Sequence, residues 1–213
     1  MKIIQELLRY YNCSHMNEIS CAPWEKMYCE KEFPKYWMIV FDILNSLNRD
    51  SRIIEIGCGL GNVTAIPCYL GFKHIYAFEK EKKLARFAQR RIKELFGLNG
   101  VIKNQKFPNG KAYVADVLIL VNCVYACTPG DKLLYLKDLK TYYEFAGNPL
   151  YFILEVIDAS YTIEDEEFPF YLRLKLSDIE EIFPDSKISS WKTYEYPVNK
   201  RSKTLYLIER TKQ

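Results

Sequence analysis

Apolar residues along this chain follow two alternating patterns, one with the period of a helix and one typical of a buried strand. Apolar side chains at i, i+3 and i+4 predict helices over residues 1–11, 35–47, 62–70, 81–96, 129–145 and 177–183. Short runs of Ile, Val, Leu and Phe predict strands over residues 52–56, 74–78, 101–104, 115–121, 150–157, 194–196 and 204–208. Strands that alternate with such helices indicate an α/β fold with a mostly parallel sheet covered on both faces. Ser177, with Glu180 three residues later, predicts a capping box for the last helix.

The composition is that of a folded domain with balanced charge. The 213 residues suit one domain, 15% of them are aromatic, and the net charge of +3 is too small to indicate a nucleic-acid-binding protein. Apolar runs are much shorter than the roughly 20 residues of a membrane span, and Glu6 and Arg9 interrupt the N-terminal one. We therefore expect no membrane segment and no signal peptide, and predict a cytoplasmic protein.

The seven cysteines include no C-x-x-C pair. Cys13, His15, Cys21 and Cys29 could be drawn as a zinc site, but their spacing matches no common ligand pattern. Reduced thiols and no bound metal are therefore the expectation.

Charge is distributed unevenly along the chain. Residues 80–111 hold ten Lys or Arg and two acids, whereas residues 155–185 hold ten Asp or Glu and two bases. Two solvated faces of opposite charge are the simplest interpretation. The alternative is that one run borders an anionic ligand and the other a cationic one.

A glycine-rich segment, E-I-G-C-G-L-G-N at residues 55–62, follows the first buried strand. Ligands of open parallel sheets bind beyond the carboxyl ends of the strands, where glycines let the backbone come close and a following helix presents free N–H groups. The dinucleotide fingerprint G-x-G-x-x-G/A fails because the chain has Asn62 where Gly or Ala is needed. Eighteen residues after Gly61, Glu79 ends the next strand, where a carboxylate can accept hydrogen bonds from both hydroxyls of a ribose.

Together with F-E-K at residues 78–80 and A-D-V-L-I-L-V-N at residues 115–122, this segment resembles the class I S-adenosylmethionine-dependent methyltransferases. The resemblance covers roughly residues 50–210. It implies a Rossmann-like, seven-stranded, mostly parallel sheet whose last strand is antiparallel, with S-adenosylmethionine as cofactor and S-adenosylhomocysteine as product. We therefore predict a methyltransferase domain over residues 50–213 and an N-terminal helical lid over residues 1–49.

The resemblance also assigns cofactor contacts to residues of this sequence. Glu55 would reach toward the methionine amino group, directly or through a water, Glu79 would hold the ribose hydroxyls, and Asn122 would face the sulfonium. Lys80 would flank the adenine, and Asn104 would bind the adenine amino group in place of the acid that family members usually carry. The loop that lines the methionine and ribose would comprise Gly57, Cys58, Gly59, Gly61 and Asn62.

The acceptor side is less constrained, because transfer from a sulfonium needs a base only when the acceptor must lose a proton. The candidate catalytic residues are Asp158, which ends the fifth strand, Tyr125, which closes an N-x-x-Y segment at residues 122–125, and His15. That segment lacks the prolines of N-P-P-Y, so core packing of Tyr125 and a turn role for Asp158 stay open. The candidate substrate contacts are Tyr11, Trp24, Tyr28, Tyr125, Glu155 and Asp158.

The sequence thus predicts a methyltransferase that acts at O or N of a small molecule or a modified peptide. One alternative is methylation of a nucleic acid or of a protein amide or amine, although the weak charge makes a nucleic-acid partner less expected. Another is a catalytically silent partner protein. The acidic residues 164–167 suggest a cationic substrate, whereas the basic residues 80–97 suggest an anionic partner. The oligomeric state is not specified.

Overall fold

A single sheet forms the centre of the protein. The computed structural model describes residues 34–123, 130–196 and 201–211. The strands are β1 Arg52–Ile56, β2 His74–Phe78, β3 Ile102–Lys103, β4 Val117–Leu120, β5 Tyr151–Asp158, β6 Arg173–Leu174, β7 Ser186–Tyr194 and β8 Lys203–Arg210. The helices are α1 Lys35–Asn45, α2 Ala65–Leu70, α3 Lys82–Phe96, α4 Lys132–Phe145 and α5 Leu176–Ile182. Within these ranges, no helix is both long and apolar enough to cross a membrane.

The strand order is β3-β2-β1-β4-β5-β8-β7, and β6 pairs with the last two residues of β5. The pairs among β1 to β5 are parallel, whereas β8 runs antiparallel to both β5 and β7. The predicted mostly parallel sheet with an antiparallel last strand is therefore confirmed. The short strand β6 makes the sheet eight-stranded instead of seven-stranded.

The sheet is covered on both faces, as the continuous apolar strands predict. Neighbouring residues of β1 point to opposite sides. Ile53 belongs to a buried cluster that includes Trp37 of α1 and residues of α2 and α3. Ile54 belongs to a second cluster that includes Leu139 of α4 and Ile179 of α5. The helix α1 is thus part of the domain core, and the proposed lid over residues 1–49 stays a prediction because residues 1–33 lie outside the described ranges.

Two local predictions were wrong. The last helix is not capped by Ser177, because it begins at Leu176 and the Asp178 carboxylate accepts a hydrogen bond from the Lys175 backbone N–H, with an N–O distance of 2.8 Å. The seventh strand begins at Ser186 and not at Tyr194. It is an edge strand in which exposed and half-buried side chains are mixed and only Thr193 is buried, so no apolar run marks it in the sequence.

Candidate functional site

The glycine-rich loop is held between the ends of β2 and β4. The backbone N–H groups of Gly57 and Cys58 both donate to the Phe78 carbonyl oxygen, at 2.8 and 3.0 Å. A Cβ atom added to Gly57 would lie 2.6 Å from the Cβ of Cys123, which follows β4. A side chain at position 57 would therefore collide with the segment after β4, which explains the glycine.

Glu79 follows β2 and reaches back to the loop. Its Oε2 accepts a hydrogen bond from the Gly59 N–H at 2.9 Å, and its Oε1 accepts one from the Glu81 N–H at 2.7 Å. The residue is only 7% exposed. A carboxylate has about four acceptor positions, and these two bonds orient the group while leaving a lone pair on each oxygen. That arrangement suits the two neighbouring hydroxyls of a ribose.

Asn104 and Lys80 lie at the same end of the sheet. The Asn104 side-chain Nδ2 donates to the carbonyl oxygens of Glu79 at 3.0 Å and Lys80 at 3.1 Å. Both amide protons are thereby used to close the turn after β2, so Oδ1 is the atom with which Asn104 could accept from an adenine amino group. The Lys80 side chain is exposed beside this turn.

Glu55 is buried beneath the glycine-rich loop and faces the start of α2. The hydroxyl of Thr64 donates to its Oε2 at 2.5 Å. Burial raises the pKa of Glu55 to about 7, an effect that the Thr64 hydrogen bond opposes and the charge of Glu79 reinforces. This carboxyl therefore titrates near neutral pH. A cationic amino group beside it would favour the ionised form. Thr64 itself was not predicted as part of the site.

Four polar side chains lie where β4, β5, β7 and β8 come together: Glu155 and Thr193 are buried, and Asn122 and Lys203 are half-buried. Asn122 has a positive φ of 53°, and the Lys203 ammonium donates to its Oδ1. On the neighbouring strand the Thr193 hydroxyl donates to Oε1 of Glu155 at 2.6 Å. Burial raises the pKa of Glu155 and lowers that of Lys203, while the opposite charges of the two groups oppose both shifts. The sequence placed Asn122 and Glu155 here but missed Thr193 and Lys203.

Asp158, a predicted acceptor-side residue, is bound by its surroundings. Its Oδ2 accepts from the Thr204 hydroxyl at 2.5 Å and lies 2.6 Å from the Lys192 ammonium, and its Oδ1 accepts from the Ser160 N–H at 2.8 Å. Burial would raise the pKa of Asp158, but Lys192, Ser160 and Thr204 outweigh it and lower the pKa to about 2. These contacts favour a structural role at the junction of β5, β7 and β8.

Part of the acidic segment at residues 164–167 is also neutralised within the chain. Arg201 pairs with Asp165 through Nε at 2.9 Å and with Glu167 through Nη2 at 2.6 Å. The Tyr161 hydroxyl donates to Asp165 at 3.2 Å. Glu164 and Glu166 are exposed. Glu167 is exposed as well despite its ion pair, so Asp165 is the one acid of this segment that is half-buried.

Five predicted residues lie outside the described ranges, and their roles stay predictions. They are Tyr11, His15, Trp24, Tyr28 and Tyr125. The cysteines of the rejected zinc site, Cys13, Cys21 and Cys29, lie outside these ranges as well. Cys58, Cys68 and Cys123 form no disulfide.

Sequence similarity to known proteins covers only part of this chain. No family model matches this chain. It is 35% identical over 96 residues to the protein-L-isoaspartate O-methyltransferase of Vibrio atlanticus (strain LGP32), a match that covers 45% of this chain and 46% of the relative. The protein of the same name from Vibrio vulnificus (strain YJ016) is 45% identical over 49 residues, or 23% of each chain. The match therefore spans less than half the length of either relative.

Similarity in structure extends over nearly the whole chain. The magnesium protoporphyrin IX methyltransferase of Synechocystis PCC 6803, solved with bound S-adenosylmethionine, superposes with a TM-score of 0.64 over 97% of each chain at 14% identity. The chain has the class I methyltransferase fold. An S-adenosylmethionine-dependent methyltransferase of Clostridium acetobutylicum ATCC 824 gives a TM-score of 0.60 at 16% identity, over 89% of this chain and 98% of that one. In this class I methyltransferase fold, the glycine-rich loop follows β1, Glu79 follows β2 and Asn122 follows β4.

Proposed function

We propose that this protein is an S-adenosylmethionine-dependent methyltransferase that acts at an oxygen or nitrogen of a small molecule or a modified peptide. The observation that carries the proposal is the geometry of Glu79, which is buried, hydrogen-bonded to the Gly59 and Glu81 N–H groups, and still able to accept two hydroxyl hydrogen bonds. A carboxylate so fixed at the end of β2, beside a glycine-rich loop, suits a ribose-bearing ligand.

The remaining residues of the site fit the same cofactor. Glu55 is placed to receive a cationic amino group, and the Oδ1 of Asn104 can accept from an adenine amino group. When bound, S-adenosylmethionine supplies an electrophilic methyl group on a sulfonium. The chain would contribute the alignment of cofactor and acceptor. Asn122, held at its Oδ1 by Lys203, would define the edge of the site between cofactor and acceptor.

Among acceptors we favour a carboxylate oxygen of a modified peptide. The curated relatives are named for O-methylation of L-isoaspartate in proteins. A carboxylate is already deprotonated at neutral pH, so its methylation needs no general base. We place the protein in the cytoplasm, where Cys58, Cys68 and Cys123, which form no disulfide, would stay reduced.

Isothermal titration calorimetry with S-adenosylmethionine and S-adenosylhomocysteine tests the cofactor assignment. The wild type should bind both compounds, and Glu79→Gln should raise both dissociation constants by on the order of tenfold, because an amide cannot accept both hydroxyl hydrogen bonds in the same way. Glu144→Gln removes an exposed carboxylate of α4 and serves as the matched control. Equal affinity in the Glu79→Gln variant and the wild type would contradict the assignment.

A transfer assay then separates the candidate acceptors. The cofactor carries a radiolabelled methyl group, and the acceptors are matched peptides with an L-isoaspartyl or an L-aspartyl residue. The favoured acceptor predicts label on the isoaspartyl peptide that is released by mild base, as expected for a methyl ester. Label that resists base would indicate methylation at a nitrogen or as an ether, and not a methyl ester. Cofactor binding without transfer to either peptide or to any small molecule tested would favour the catalytically silent partner protein.

A further inference from the structure

A buried arginine lies directly behind the glycine-rich loop. Arg91 belongs to α3, and although this helix carries exposed cations such as Lys82, Lys83 and Arg86, Arg91 is 0% exposed. A guanidinium keeps its charge at any physiological pH, and moving that charge out of water costs several kcal/mol unless hydrogen bonds compensate. An apolar side chain would pack there without this cost, so the contacts of the guanidinium need an explanation.

Those contacts are to the loop. Nη1 of Arg91 donates to the Leu60 carbonyl oxygen at 3.2 Å and lies 3.5 Å from Oδ1 of Asn62. The guanidinium carbon lies 5.4 Å from the centre of the Phe87 ring on the same helix. Asn62, predicted from the sequence as a cofactor residue, is itself buried and directs its side-chain oxygen towards Arg91.

The contacted Leu60 carbonyl lies in a part of the loop whose backbone is rich in glycine. Leu60 lies between Gly59 and Gly61, whose φ angles are 53° and 78°. Glycines reach such angles easily but also leave them easily, so the orientation of the peptide groups depends on external contacts. The Gly59 N–H is the group that donates to Glu79. A hydrogen bond that fixes the Leu60 carbonyl therefore also restricts the peptide that orients the Glu79 carboxylate.

We propose that Arg91 is a positioning residue for cofactor binding, which holds the Leu60 carbonyl and Asn62 so that the Gly59 N–H stays on Glu79. The inference rests on the proposed function, because it assigns Arg91 a part in binding S-adenosylmethionine. It also gives Asn62 an indirect role, as a partner of the arginine and not as a ligand contact.

A comparison of two adjacent arginines tests the proposal. Arg90 lies on the same helix, with its guanidinium carbon 5.1 Å from the centre of the Phe87 ring, but its ion pair is with Glu94 at 4.0 Å. Calorimetry should show the dissociation constant of S-adenosylmethionine raised on the order of tenfold in Arg91→Met and less than twofold in Arg90→Met. Arg91→Lys should recover part of the affinity, because an ammonium can still donate to a carbonyl.

Stability is measured in parallel, by urea denaturation of each variant without cofactor. A purely structural Arg91 would lower the free energy of unfolding in Arg91→Met and leave the dissociation constant unchanged, and that result overturns the proposal. Should Arg91→Met fail to fold, Asn62→Ala removes a partner of the arginine without changing α3. In the double variant Asn62→Ala/Arg91→Lys, the loss of affinity for S-adenosylmethionine should be smaller than the sum of the losses in the two single variants. Full additivity would overturn the proposal. Wild-type protein that binds no S-adenosylmethionine would overturn the proposed function as well.

Discussion

The two sides of the site use similar polar residues in different ways. On the cofactor side, defined as residues 55–62, 79–81 and 104, Glu79 is oriented by backbone N–H groups. On the acceptor side, defined as residues 122, 155–167 and 192–204, Asp158 is bound by Lys192 and Thr204, and Asp165 by Arg201. Backbone donors orient a carboxylate without cancelling its charge, whereas a cationic side chain neutralises it. The Glu79 carboxylate of the proposed cofactor side therefore keeps its charge, whereas the acids Asp158 and Asp165 of the proposed acceptor side are engaged in ion pairs within the chain.

The largest effect on the free energy of unfolding is expected from a substitution of Glu55, on the cofactor side. Burial raises its pKa from 4.5 to about 7, so the folded state holds the proton more tightly than the unfolded state. Ionisation therefore opposes folding, and this contribution to stability is lost as pH rises from about 4.5 through 7. The loss is on the order of 3 kcal/mol. The free energy of unfolding of Glu55→Gln and of the wild type can be measured by urea denaturation at pH 5 and at pH 8. The value for Glu55→Gln minus the value for the wild type should rise between pH 5 and pH 8 by about that amount.

The exposed control Glu144→Gln should follow the wild type at both pH values. Saturating S-adenosylmethionine should reduce the pH dependence of the wild type, because a cationic amino group beside Glu55 would stabilise the ionised carboxyl. A constant stability difference between Glu55→Gln and the wild type across this range would show that the buried carboxyl does not titrate there.

The cofactor side could be predicted because its geometry is encoded locally. The glycine-rich loop is one contiguous segment, and the parallel register that pairs Ile56 with Phe78 brings Glu79 beside it. Strand, loop, helix and strand follow one another, so the positions of these residues follow from the pattern alone. The α/β fold could be predicted for the same reason. Arg91 was missed because a cation inside a basic helix gives no sign in the sequence that it is buried.

The acceptor side could not be predicted in the same way, since its partners come from distant segments. Thr193 lies 38 residues from Glu155, and Arg201 lies 36 residues from Asp165. Thr193 belongs to β7, the edge strand whose start no apolar pattern marks. The sequence therefore identified acids at the ends of strands but not the residues that bind them.

A substitution of Asp158 tests whether this acceptor-side acid stabilises the fold or binds a ligand. Its pKa is lowered to about 2 from an ordinary value of 3.8, so its contribution to stability is present above about pH 4 and is lost as pH falls through 2. At pH 7, Asp158→Asn should lower the free energy of unfolding by about 2 kcal/mol and leave the dissociation constant of S-adenosylmethionine within about twofold. Chemical denaturation and calorimetry measure the two quantities.

Asp185→Asn, which changes an exposed carboxylate, is the matched control and should alter neither quantity. If Asp158→Asn instead kept its stability and lost methyl transfer to the acceptor, Asp158 would be the catalytic or substrate residue predicted from the sequence. The acceptor side would then hold a ligand-binding carboxylate despite its internal ion pairs.

The smallest effect is expected from substitution of exposed acids in the segment at residues 164–167. Glu164, Glu166 and Glu167 are exposed, and of the four acids Asp165 and Glu167 pair with Arg201. Exposed charges are screened by salt and gain little from pairing, so the double variant Glu164→Gln/Glu166→Gln should change the KM of an isoaspartyl peptide by less than about twofold. Asp165→Asn/Glu167→Gln should instead destabilise the protein, because it leaves Arg201 without these partners. A severalfold rise in KM for a cationic acceptor in the first variant, diminishing with added salt, would show that the two exposed acids bind substrate.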